Sequence, residues 1–167
     1  MLTLPLPFPI PSALIAVALA LALLAGCSTT QEITLGAQVP TKVIVTVAQV
    51  QNDGNSSQMT SLLEEALLKE KLAVVGALPS GTRTAPGLEA LVSYTDVWRW
   101  DLMMYLKHLT VQLYDAETGQ LVALGQWSDS PLHGFRDPKT VMDGLISDLV
   151  ARVRGAKPSA AISVSAP

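Results

Sequence analysis

Lys42-Val43-Ile44-Val45-Thr46-Val47-Ala48-Gln49-Val50 is the stretch on which the architecture turns. Val43, Val45 and Val47 alternate with their neighbours, and β-branched side chains stand on both sides, the pattern of a strand inside a sheet. The turn-rich run Gln51-Asn52-Asp53-Gly54-Asn55 follows at once. Asn55 or Ser56 can then cap a helix, in which Met59, Leu62, Leu63, Ala66 and Leu67 recur at three- and four-residue spacing. Glu64, Glu65, Lys69, Glu70 and Lys71 fall mostly off that stripe, as a solvated face does. The short apolar run 72–78 reads as the return strand. Strand, helix and strand in this order predict a β-α-β unit with a right-handed crossover and parallel strands.

Downstream of a Pro- and Gly-rich loop at 79–87, residues 88–100 read as an extended chain. Val92, Tyr94, Trp98 and Trp100 fall on one side, with Ser93, Thr95 and Arg99 on the other. Residues 105–114 alternate again, Leu109, Val111 and Leu113 against His108, Thr110 and Gln112. Asp115-Ala116-Glu117-Thr118-Gly119 predicts a hairpin turn with Gly119 in the left-handed region, and 121–127 is the returning strand. After a loop at 128–136, Asp137-Pro138 supplies a cap and a first-turn proline. The helix they open carries the stripe Met142, Leu145, Ile146, Leu149, Val150 and Val153, favourable Arg152 and Arg154 in its last turn, and a stop at Gly155. The short connections pair the last three strands antiparallel, whereas the place of the 42–50 strand in the sheet stays open.

Residues 42–156 are therefore expected to form an α+β two-layer sandwich, β-α-β-β-β-β-α, with two helices on one face of a mixed five-stranded sheet. Residues 27–41, polar and broken by Gly36 and Pro40, read as a tether. Residues 157–167 read as a disordered tail, in which Ile162 and Val164 could add a short edge strand. Removing 1–26 leaves about 140 residues, enough for one modest core. All 11 basic and 14 acidic side chains lie in that part, without a basic block, so nucleic acid is not an expected partner. No second apolar run long enough to span a membrane follows the first.

That first run, 12–24, is almost wholly Ala, Leu, Ile and Val and ends at Leu24-Ala25-Gly26-Cys27, which holds the only cysteine. It has the length of a signal-peptide apolar region and is short for about 30 Å of hydrocarbon. The four residues resemble a bacterial lipobox, in which Leu24, Ala25 and Gly26 are read by the signal peptidase and Cys27 is lipidated. The resemblance implies thioether formation, cleavage and acylation of the new amino group. It also implies, from Ser28 in place of Asp, sorting to the outer membrane with the domain facing the periplasm. One acyl chain holds a protein only marginally, and two or more anchor it stably. The alternative is an uncleaved membrane anchor with Cys27 incidental. With Cys27 lipidated, no disulfide or thiolate metal site remains.

Tyr94, Asp96, Trp98 and Trp100 share one strand face and form the candidate binding face. They fill a core under the helices, or they present a surface on which Asp96 is a buried carboxylate in need of a partner. Asp96 and Asp101 point to opposite faces of an extended strand and cannot share a proton there. His108 and His133 lack metal-ligand spacing with other candidate ligands, and neither a nucleophile elbow, a phosphate-binding glycine loop nor a dinucleotide fingerprint occurs. No catalytic residue, metal or cofactor is expected.

Tyr94-Thr95-Asp96-Val97-Trp98-Arg99-Trp100-Asp101, continuing to Met104-Tyr105-Leu106, resembles a group of small proteobacterial envelope lipoproteins that share a Tyr-Thr-x-x-Trp-x-Trp-Asp strand after a lipobox and a β-α-β start. The resemblance implies an envelope lipoprotein with this element order and supplies no reaction. Two functions are expectations at this point. One is a non-catalytic accessory that binds an envelope protein, anchored to the membrane through its acyl chains. The other is a binding module that takes a small ligand or cell-wall glycan on the aromatic face.

Overall fold

The computed structural model describes residues 29–37, 43–130 and 135–156. Leu24, Ala25, Gly26, Cys27, His133 and the expected tail at 157–167 lie outside them. In chain order the elements are β1 Thr30–Leu35, β2 Thr46–Val50, α1 Ser57–Lys69, β3 Ala73–Leu78, β4 Ala90–Asp101, β5 Met103–Asp115, β6 Leu121–Ser128 and α2 Pro138–Gly155. The strands make one mixed sheet in the order β1-β6-β5-β4-β2-β3. β2 runs parallel to both β3 and β4, so the 42–50 strand is internal, and β4, β5 and β6 form the expected antiparallel meander. Both helices lie on one sheet face, and the architecture is the α+β sandwich.

Two differences from expectation matter most. The sheet has six strands, because Thr30–Leu35, read as tether, pairs antiparallel with β6 from Thr30↔Ser128 to Leu35↔Ala123. Its side chains are mostly polar and exposed, as an edge strand allows, and only Ile33 and Leu35 pack against the core. Gly36 closes the attachment. Its amide donates to the Val122 carbonyl at 2.8 Å, and a Cβ there would stand 1.7 Å from the Leu121 carbonyl oxygen. The second difference is the start of β2 at Thr46 rather than 42. Glu89 Oε2 accepts from the backbone amides of Val45 and Thr46 at 2.7 and 2.8 Å, so a carboxylate occupies donors that a longer ladder would have used. Val43 and Val45 are exposed.

The core lies between helices and sheet. Ser56 caps α1 through its Oγ, which accepts from the Met59 amide, and Met59, Leu63, Ala66 and Leu67 are buried from that helix. Asp137 caps α2, and Val141, Met142, Leu145, Ile146, Leu149 and Val150 are buried beneath it. They meet Val47, Val92, Tyr94, Leu109, Val111 and Leu113 from the sheet. Gly125 lets α2 settle close, since a Cβ would sit 3.1–3.2 Å from Leu145, Ile33 and Leu149. Surface ion pairs Lys69–Asp143 and Lys139–Glu65 link the helices and contribute little beside this burial. On the other sheet face a smaller cluster of Ala48, Val50, Leu91 and Ala116 is covered by Ala85 and Leu88 of the 79–89 loop.

Candidate functional site

The four residues of the expected binding face do share one side of β4, but the strand crosses from the core to solvent along its length. Tyr94 is 1% exposed and belongs to the core. Its hydroxyl donates to the Ser56 carbonyl at 3.0 Å and lies 2.7 Å from Thr60 Oγ1. The Tyr94 carbonyl accepts from the side-chain amides of Asn52 and Asn55 at 3.2 and 3.0 Å. Burial pushes the phenol above its usual range; the Thr60 hydrogen bond opposes the shift, and the Asp96 charge adds to it. The tyrosine stays a neutral structural donor.

Asp96 continues the same clamp. One carboxylate oxygen, Oδ2, accepts from Ser56 Oγ at 3.0 Å and from the Trp98 indole at 2.6 Å, while Oδ1 has no hydrogen-bond partner among the described residues. Trp98 is half-buried against the core. Through Ser56, Thr60 and the two asparagines, Tyr94, Asp96 and Trp98 hold the N-terminal end of α1 onto the sheet. A carboxylate beside a helix N-terminus is also favoured by the helix dipole.

Trp100 is different, with 68% of its surface exposed. β6 ends at Ser128, opposite His108 of β5, and the β2 pairing of β4 ends at Val92, so β4 and β5 run on as a two-stranded ribbon. Its tip carries Trp100, Leu102, Met103 and Met104, all exposed, with Leu102 at 87% and in the left-handed region at φ 61°. Non-glycine residues reach that region at a cost, and apolar ones seldom do. At the base, Lys107 occupies a bulge opposite Val97–Trp98 and donates to the carbonyls of Asp129 and Ser130 at 3.0 and 3.1 Å. Tyr105 meets Phe135 edge-on at 5.8 Å.

The apolar turn was the residue set that pattern reading passed over. Its signal was present: Asp101-Leu102-Met103-Met104 joins two strands without Gly, Asn or Pro. Of the histidines, His108 Nδ1 lies 2.8 Å from Ser128 Oγ on the exposed sheet face. Among the described residues no group of three His, Cys, Asp or Glu side chains is placed to hold a metal ion. A groove of about 740 Å³ is lined by Ile33, Leu35, Asp148 and Arg152 between β1 and α2, away from the aromatics. A smaller one of about 250 Å³ lies on the other sheet face, lined by Asn52, Arg83, Ser93 and Gln112. No described helix is long and apolar enough to cross a membrane.

No protein-family model matches the chain, and no curated protein matches it. Among solved structures, the PelC dodecamer from Paraburkholderia phytofirmans matches at a TM-score of 0.51 and 15% identity, over 78% of this chain and 100% of that one. Its L103M variant, in a second crystal form, gives 0.52 and 16%, over 74% and 96%. At this identity the likeness establishes a shared fold. A PDZ domain protein from Parabacteroides distasonis is a more distant match at a TM-score of 0.44 and 10% identity, over 89% of this chain and 41% of that one. A minor lipoprotein from Acinetobacter baumannii stands at 0.34 and 11%, over 67% and 94%.

Proposed function

We propose that the chain is a bacterial envelope lipoprotein of the lipobox group its sequence resembles, held by acyl chains on Cys27, that serves as a non-catalytic, protein-binding accessory. Sorting through Ser28 would place it on the outer membrane, facing the periplasm. The observation that carries the non-catalytic reading is the division of β4. The polar groups of its inner half hold α1, and its exposed aromatic side chain, Trp100, lies past the helices. Asp96 acts as a cap for Ser56 and the Trp98 indole, a role different from that of an acid–base group aimed at a substrate. Glycan stacking on the full aromatic face would require Tyr94 and Trp98 to be open, and Tyr94 is enclosed.

PelC is a dodecamer, which gives one form that protein binding takes on this fold, so a second copy of this chain is the first partner to look for. Crosslinking in intact cells tests the reading. A defined protein adduct supports it, and retention on isolated peptidoglycan without any protein adduct would replace it with the glycan-binding alternative. Replacing Cys27 by Ser should leave an unprocessed precursor and abolish labelling with a palmitate analogue. A labelled Ser variant would refute the anchor.

A further inference from the structure

We infer that the β4–β5 hairpin tip is a second membrane contact, inserting Trp100, Leu102, Met103 and Met104 into the interfacial layer of the bilayer that holds the acyl chains. This rests on lipidation at Cys27. Because β1 starts at Thr30, only three residue steps separate Cys27 from the sheet, and an extended chain covers about 11 Å in that distance. The lipid attachment point therefore stays close to the Thr30 end of β1.

The hairpin tip lies at the same end. Thr30 pairs with Ser128, which pairs with His108, so these three residues stand level across β1, β6 and β5. From Val97, opposite His108, the ribbon continues four residues to Asp101, opposite Met103, about 13 Å at the strand rise. Sheet twist of about 20–25° per strand, over two steps, leaves roughly 9 Å of that reach along the direction of β1. The ribbon thus extends toward the bilayer about as far as the tether can separate the two. A domain standing upright on its anchor brings the tip to the headgroups.

The tip has the chemistry for that position. Tryptophan favours the interface, where its ring is apolar and its indole N–H can meet water or headgroups. Leu102, at 87% exposure in a strained backbone conformation, and the two methionines give the apolar surface a lipid-packed tip needs. Arg99, exposed one residue before Trp100, can meet anionic headgroups. The opposite pole ends in the polar turn Asp115-Ala116-Glu117-Thr118-Gly119, where the Asp115 carboxylate accepts from the Glu117 and Thr118 amides.

The test uses the mature, lipidated full-length protein in vesicles of phosphatidylethanolamine with a minor share of phosphatidylglycerol. Cys27 is blocked as a thioether, so a single new cysteine takes a nitroxide label: Met103→Cys at the tip, or Glu117→Cys at the far turn. Collision of each label with oxygen and with a water-soluble nickel complex reports depth. The expected result is a several-fold loss of nickel collisions at position 103 relative to 117, reversed when Trp100→Ser and Leu102→Ser are added. Equal nickel access at both positions, with mass spectrometry showing acylated Cys27, overturns the tip contact and leaves the anchor standing. An unacylated Cys27 overturns both.

Discussion

β4 begins as core and ends as surface, although the alternation of its side chains does not change. At Tyr94 the strand lies between the Asn52–Asn55 turn and β5, beneath α1, and both the carbonyl and the hydroxyl of the tyrosine have partners. At Trp100 the same face has run past the helices, and among the described residues its one strand neighbour is Met104 of β5. An aromatic residue on a strand is therefore core or surface according to what lies above it, and the strand itself does not reveal which.

The largest expected effect belongs to the buried half. Tyr94→Ala removes a fully enclosed ring and the donor to Ser56, and should cost about 3–5 kcal/mol in urea unfolding. That is a large part of the 5–15 kcal/mol typical of a whole domain. A Tyr94→Ala protein as stable as the parent would put the aromatic face in the open. The next largest effect tests whether residues 30–35 are strand or tether. Gly36→Ala forces a Cβ against the Leu121 carbonyl and should cost about 1–3 kcal/mol, with faster amide exchange in β1. A neutral substitution would return that segment to a loose linker and lengthen the reach of the anchor.

Tyr94→Phe isolates the hydroxyl and should cost about 1 kcal/mol below pH 10. The phenol has a raised folded-state pKa, so its contribution is fully present below the unfolded value of 10.0 and is lost as the pH rises through the folded value. The stability advantage of the parent over the Phe variant should therefore shrink in the alkaline limb, and an advantage growing there would contradict the sign. Such a result would point to an ionised tyrosine inside the clamp.

The β-α-β opening was legible because its signals were local. Ser56 precedes a clean Met59–Leu63–Ala66–Leu67 stripe, and Asp137-Pro138 announces α2 in the same way. β1 was not legible, since Thr30, Gln31, Glu32 and Thr34 offer an edge strand no apolar alternation; only pairing to β6 makes them a strand. The true start of β2 depended on Glu89, more than forty residues away. Of the candidate face, the shared side of Tyr94, Asp96, Trp98 and Trp100 followed from alternation alone. The split between them did not, because it depends on where β6 and the helices end. Leu102 and Met103 were passed over because a turn is expected to be polar.

The most direct test of this division of β4 compares Trp98→Ala with Trp100→Ala in the purified mature protein by urea unfolding. Trp98 packs against the core and bonds Asp96, so its truncation should cost about 2–3 kcal/mol, below the full cost of an enclosed aromatic. Trp100 stands in solvent, and its truncation should change stability by no more than about 0.5 kcal/mol. Equal losses from the two substitutions would contradict the account, because they would mean that the outer half of the strand is core as well.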